Sequence, residues 1–195
     1  MPDGAEVGRN ASGALLTVPN VITFGRLCAV PLAFWLVIDQ HPAYAFFLFV
    51  AAGISDAVDG WLARRWGGNM VGALLDPVAD KALLVSVYVT LGLAHQLWTS
   101  LVILVVFRDV MIVGGFLLIQ AFAVPKHYDP LYISKINTGL QIALVAFVLA
   151  RLGLAAASGR IDIGLSCAVI ATTVLSGLSY LIRWARILAR SEQAW

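Results

Sequence analysis

Residues 55–81 read SDAVDGWLARRWGGNMVGALLDPVADK, and they set Asp56, Asp59, Arg64, Arg65, Asp76, Asp80 and Lys81 between two uncharged apolar stretches, YAFFLFVAAGI at 44–54 and ALLVSVYVTLGLA at 82–94. Neither stretch alternates with a two-residue period, which disfavours a membrane β-barrel, and a chain in lipid must satisfy its own backbone hydrogen bonds. The pattern predicts two helices joined by a polar turn at Gly67-Gly68.

The remainder of the chain has the same character. Of its 195 residues 61% are hydrophobic and 12% charged, with a mean hydropathy of +0.89, whereas soluble domains carry about 45–50% apolar and about 25% charged residues. Such a chain is too apolar to cover itself in water, so the composition predicts an integral membrane protein. At about 20 residues per span the length accommodates about six helices and no separate soluble domain. Breaks at Pro19, Pro42, Gly67-Gly68, His95-Gln96, Pro125 to Pro130 and Ser158-Gly159 place them near 20–38, 43–63, 71–94, 98–123, 131–152 and 163–187. The fold expected is all-α, one membrane domain over 1–195 of six transmembrane helices, with 1–18 as an N-terminal cytoplasmic segment.

Six spans leave both termini on one side. The terminal segments and the connections between helices 2 and 3 and between helices 4 and 5 hold Arg9, Arg64, Arg65, Lys126, Lys135, Arg183, Arg186 and Arg190, against Arg151 and Arg160 on the opposite side. Eight against two predicts cytoplasmic termini. The net charge of +2 is too even for a nucleic-acid surface. Cys28 and Cys167 lie within apolar runs, where a buried thiol is the ordinary reading. The first sixteen residues, with Asp3 and Glu6, lack the features of a secretory signal or transit peptide, and the bacterial cytoplasmic membrane is the expected location.

Ionisable groups inside a span cost about 2.5–3.5 kcal/mol each on insertion scales, so they normally face a protein interior or a wet cavity. Asp56 and Asp59 are three residues apart and Asp76 and Asp80 four, so each pair shares a helix face, and an antiparallel turn lets all four converge. Left alone these carboxylates repel one another. An all-oxygen cluster without His or Cys suits a hard divalent ion such as Mg²⁺. The alternative is that each Asp caps a helix or pairs with Arg64, Arg65 or Lys81. Gly60 and Gly72, one turn from Asp56 and Asp76, remove bulk where a ligand approaches, or else serve close helix packing. Arg64 offers a planar cation for a phosphate.

The pattern Asp56-x2-Asp59-Gly60-x2-Ala63-Arg64-x7-Gly72-x3-Asp76-x3-Asp80 resembles the complete signature of the CDP-alcohol phosphatidyltransferases, eight fixed residues in one 25-residue window. The resemblance implies six membrane helices, a homodimer, a site for Mg²⁺ or Mn²⁺ (two ions), and a CDP-linked lipid as donor. It assigns Asp56, Asp59, Asp76 and Asp80 to the metal, with Asp80 also the catalytic base, and places Asp56, Gly60, Ala63, Arg64 and Gly72 around the CDP group. In that chemistry metal ions neutralise charge on the departing CMP, and a positioned carboxylate takes the proton of the attacking alcohol. Direct in-line attack is the simpler path, with a covalent phosphatidyl-enzyme as the alternative.

The resemblance extends over most of the chain. VPNVITFGR at 18–26 is similar to the opening of phosphatidylglycerophosphate and cardiolipin synthases, which also share Asp76-Pro77-x-Ala79-Asp80-Lys81. FRDVMIVGG around Arg108-Asp109 and ISKINTGLQ around Lys135, Asn137, Thr138 and Gln141 resemble eukaryotic-type cardiolipin synthases, whose acceptor is phosphatidylglycerol. Phosphatidylglycerophosphate synthases, whose acceptor is glycerol 3-phosphate, tend to have Arg-Glu where this chain has Arg108-Asp109. Candidate acceptor contacts are Arg26, Lys81, Arg108, Lys135 and Asn137. For Arg108 the alternatives are pairing with a carboxylate or contact with a lipid phosphate, and Arg26 is read in the same way, as an inward cation near the donor or as the structural partner of a carboxylate. Lys135 is otherwise a snorkelling anchor, and the amides interhelical hydrogen bonds. A transporter of cations or protons is a different class that also uses intramembrane carboxylates, but it gives no reason for the glycines and Arg64 at these spacings.

Overall fold

The computed structural model describes the backbone of residues 18–66, 70–121, 132–154 and 160–192, and their side chains except at 18–23, 56, 57, 59–66, 70–80, 116–121 and 185–192. Among the described residues there are six helices and no strand: α1 (Val18–Ile38), α2 (Pro42–Trp66), α3 (Met70–Leu93), α4 (Thr99–Ala121), α5 (Tyr132–Leu154) and α6 (Arg160–Glu192). The all-α expectation holds. The breaks expected at Gly67-Gly68, Pro125 to Pro130 and Ser158-Gly159, together with Arg9 and Lys126, lie outside the described residues.

The helices start and stop within a few residues of the expected places, with one difference. α6 runs five residues past 187, to Glu192. The sequence estimate stopped where the apolar run ends, but Leu188, Ala189 and Arg190 are strong helix formers and no Gly or Pro interrupts them. At its start, Asp162 sits in the first turn, where a carboxylate favours the helix dipole.

α1 and α3 end in the same way. Gln40 (φ 60°) and His95 (φ 55°) adopt the left-handed conformation. The His41 amide donates to the Leu36 carbonyl (2.8 Å) and the Gln96 amide to the Leu91 carbonyl (2.9 Å), five residues back, closing Schellman caps on both helices. Glycine is the usual residue at such a position, so neither cap is announced by composition.

The chain divides into two compact units, Met1–Val87 and Tyr88–Trp195, the division falling within α3. In the first unit α1 packs on α2, burying Ala29, Ala33, Leu36 and Val37 against Ala45 and Phe49. In the second, α6 packs on both α4 and α5. The buried positions there recur at three and four: Leu101, Val105 and Arg108 on α4, Asn137, Gln141, Leu144 and Val148 on α5, and Ser166, Val169, Thr173 and Ser176 on α6. The opposite faces display Ile103, Phe107 and Val110 on α4 and Leu175, Leu178 and Ile182 on α6, an outward apolar surface suited to lipid rather than water. Tyr132–Leu154 and Arg160–Trp184 are long and apolar enough to cross a membrane. Cys28 and Cys167 are exposed, not buried. An apolar run identifies an apolar environment, and on a lipid-facing helix that environment is the bilayer as readily as a protein core.

Gly115 on α4 is required by close approach. A Cβ built there would fall within the indole of Trp184 on α6, so the glycine lets that ring approach the α4 backbone closely.

Candidate active site

The described parts of the motif are helical. Asp56, Asp59, Gly60, Ala63 and Arg64 lie on α2, and Gly72, Asp76 and Asp80 on α3. The helical backbone supports the three- and four-residue spacings on which the shared faces depend. The side chains of these eight residues lie outside those described. Among the described residues, which leave out the side chains of the four aspartates, no group of three or more His, Cys, Asp or Glu is placed to hold a metal ion. As a donor set, four carboxylates on two helices fit a hard divalent cation.

Just N-terminal to Asp56 on α2, the first unit contains a cavity of about 250 Å³ lined by Gly25, Arg26 and Ala29 of α1 and Leu48, Ala51, Ala52 and Ser55 of α2. Arg26 is only 5% exposed. Ser55 is internally satisfied, its Oγ donating to the Ala51 carbonyl at 2.8 Å. Lys81, the residue after Asp80, is half-buried on α3 and engaged by a partner.

The candidate acceptor residues of the second unit sit in a buried hydrogen-bonded network. Arg108 is 2% exposed and pairs with Asp109, Nη1 to Oδ1 at 2.7 Å. Its Nη2 donates to Ser134 Oγ on α5 and Ser176 Oγ on α6, each at 2.6 Å. Of the alternatives for Arg108, the structure therefore displays pairing, and with Asp109 itself. Adjacent helical residues point about 100° apart, and only a side chain as long as arginine folds back to make that contact. Three helices are tied together by one guanidinium.

Asn137 is likewise engaged. Its Oδ1 accepts from Thr172 Oγ1 (2.7 Å) and Thr173 Oγ1 (2.9 Å), while its Nδ2 has no hydrogen-bond partner. One turn on, the Gln141 side chain is buried with neither amide atom hydrogen-bonded, and its backbone carbonyl accepts from the Tyr88 hydroxyl at 3.1 Å. Lys135 is exposed in the first turn of α5 and stands apart from these contacts. At another end of the unit, Arg151 in the last turn of α5 pairs with Asp162 (3.0 Å) and donates to Gln96 Oε1 (3.0 Å).

The comparisons with known proteins bear on these residues together. The family model described as CDP-alcohol phosphatidyltransferase matches residues 16–188. The chain belongs to the CDP-alcohol phosphatidyltransferase family. It is 33% identical to the chloroplastic CDP-diacylglycerol–glycerol-3-phosphate 3-phosphatidyltransferase 1 of Oryza sativa subsp. japonica over 96% of this chain and 64% of the rice protein. It is 32% identical to the cardiolipin synthase (CMP-forming) of Homo sapiens over 69% of this chain and 50% of the human protein. It is 29% identical to the CDP-diacylglycerol–glycerol-3-phosphate 3-phosphatidyltransferase of Escherichia coli K12, over 69% of this chain and 77% of that enzyme. The chain thus spans less than two thirds of the rice and human proteins. Relatives of both acceptor types match this member of the family.

Ser134, Ser176, Thr172 and Thr173 were not singled out by sequence reasoning. The signal available was the recurrence of small hydroxyl residues at 166, 173 and 176 along an otherwise apolar helix, a spacing that marks one face.

Proposed function

We propose that this chain transfers a phosphatidyl group from CDP-diacylglycerol to a hydroxyl of phosphatidylglycerol, giving cardiolipin and CMP. The observation that carries the reading is the complete aspartate signature, 56–80, set on the helices α2 and α3 of a chain matched by the family model from 16 to 188. Asp109, where the glycerophosphate-using enzymes tend to have Glu, favours phosphatidylglycerol as the acceptor. The second reading keeps the donor and takes glycerol 3-phosphate, giving phosphatidylglycerophosphate, and is favoured by the rice and Escherichia coli relatives.

In this proposal Asp56, Asp59, Asp76 and Asp80 hold Mg²⁺ or Mn²⁺. The ions, when bound, neutralise charge on the diphosphate. Arg64, beside Ala63, faces the nucleotide's phosphates, and Gly60 and Gly72 leave room for the CDP group against the backbone. Asp80 accepts the proton of the acceptor hydroxyl as its oxygen forms the new P–O bond and the bond from phosphorus to CMP breaks. Lys135, exposed at the start of α5, is available to an anionic head group, whereas Arg108 and Asn137 act through the packing of α4, α5 and α6.

The same reading includes six transmembrane helices, both termini and the active site facing the cytoplasm, a homodimer, and the bacterial cytoplasmic membrane. The acceptor test is direct. Purified protein with CDP-diacylglycerol, Mg²⁺ and either phosphatidylglycerol or glycerol 3-phosphate is expected to form cardiolipin with the first. Phosphatidylglycerophosphate from the second alone establishes the alternative.

A further inference from the structure

Asn137 and Gln141 stand one turn apart on the same face of α5, and both are fully buried. Their polar atoms are unevenly served. Asn137 Oδ1 accepts from Thr172 and Thr173 of α6, but Asn137 Nδ2 and both amide atoms of Gln141, Oε1 and Nε2, are buried without a hydrogen bond. An unmet polar atom in an apolar interior is costly, and three gathered on one helix face point to a polar guest that meets them. Ser134, Asn137 and Gln141, at steps of three and four, lead in from the first turn of α5 over about 10 Å, and the buried positions beyond them, Leu144, Val145, Val148 and Leu149, are apolar. The polar stretch ends at Gln141.

The three atoms define the chemistry of that guest. Asn137 Nδ2 and Gln141 Nε2 are donors and Gln141 Oε1 is an acceptor, so the guest must both accept and donate. A cation would meet Oε1 but face two N–H groups, and an anion would meet the N–H groups but face Oε1. A neutral hydroxyl satisfies both kinds. Its size follows from the helix, where residues four apart have Cβ atoms about 5–6 Å apart. Two hydrogen bonds of about 2.9 Å meeting at one oxygen reach across a similar distance.

We propose that Asn137 and Gln141 form a seat for internal water, one molecule accepting from Asn137 Nδ2 and donating to Gln141 Oε1, and a second accepting from Gln141 Nε2. Water is then a structural component of the second unit. The threonines of α6 hold Asn137 through its oxygen and the water holds it through its nitrogen, so the rotation of α5 is fixed from both sides. The inference does not rest on the phosphatidyltransferase reading, because every residue it uses belongs to the hydrogen-bonded interior of α5 and α6.

The test uses the full chain in detergent, exposed briefly to X-rays in heavy-oxygen water, so that hydroxyl radicals formed on bound water oxidise the side chains beside it. Tyr88, whose hydroxyl meets the Gln141 carbonyl, and Leu144, one turn from Gln141, are as deeply buried as Leu149, which lies two turns away. Label on Tyr88 and Leu144 but not on Leu149 is the expected result. No label on the first two, or equal label on the two leucines, overturns the proposal. Gln141→Leu replaces the amide by hydrocarbon of similar size and is expected to lower the label several-fold in a chain that still unfolds cooperatively. Unchanged label overturns the seat, and so does a melting temperature above that of the wild type, since an amide without a guest is better replaced by hydrocarbon. Gln141→Met takes its place should that variant not fold, and the comparison of the two leucines in the wild type decides the matter without either. Adding phosphatidylglycerol or glycerol 3-phosphate separates water from the hydroxyl of an acceptor. Label unchanged by both is expected, and its loss with one of them assigns the seat to that acceptor and overturns the water.

Discussion

The two units of this chain carry the polar residues of their apolar helices in opposite ways. Up to Val87, polarity is concentrated in a 25-residue motif that carries four acids on two helices, and a cavity walled by small residues precedes it on the first of them. From Tyr88 onward, the cation Arg108 meets its acid Asp109 and two hydroxyls, and Asn137 meets two threonines. Like charges at helical spacing in an apolar chain would be costly without a ligand if they converge, whereas a cation paired at 2.7 Å and buried is already compensated. Of two clusters of ionisable groups in one apolar chain, the first is read as chemistry and the second as architecture.

Substitutions in the two units are expected to separate these roles. The largest effect belongs to Asp80→Asn, which is expected to lower CMP release on the order of 10³-fold, the scale of a lost general base, while much of the donor binding and the melting temperature persist. Near-normal release by this variant would remove Asp80 as base. Asp56→Asn is expected to reduce kcat/KM by about a hundredfold, with a raised requirement for Mg²⁺ that added metal partly relieves.

In the second unit the effect moves from turnover to stability. Asp109→Ala leaves Arg108 buried beside two hydroxyls but no anion, and is expected to cost about 3 kcal/mol, read as thermal unfolding in detergent. If Asp109→Ala melts like the wild type yet loses acceptor KM, Arg108 serves the substrate and the contrast between the units fails. Gly115→Val drives a branched side chain into Trp184 and is expected to cost about 1–3 kcal/mol by the same assay. The smallest change is Thr173→Val, expected near 0.6 kcal/mol, because Thr172 continues to donate to Asn137 Oδ1.

Much of the fold was legible because its signals are local. Each helix is written as an apolar run ended by prolines, glycines or polar pairs, and the motif is contiguous enough for its spacing to be read directly. The extension of α6 to Glu192 was missed because the end was placed at the loss of hydrophobicity, while helix propensity continued through Arg190. The exposure of Cys28 and Cys167 was missed because lipid and protein core make the same demand on a side chain. For Arg108 the sequence required a partner and left pairing and substrate open, since the hydroxyls it reaches lie 26 and 68 residues further along the chain.

From the sequence alone come the all-α class, the approximate limits of the six helices, the family resemblance and the eight motif positions, because helix formation and i, i+3 or i, i+4 spacing depend on neighbours in the chain. Only the tertiary structure decided that Arg108 ties α4 to α5 and α6, that Asn137 is held by two threonines, that Gly115 makes room for Trp184, and that a cavity opens between α1 and α2. Those outcomes depend on how each helix is rotated about its axis and how closely it approaches its neighbour. In an apolar chain, where nearly every face is hydrophobic, periodicity hardly constrains that rotation, and the few buried hydrogen bonds and small residues select it.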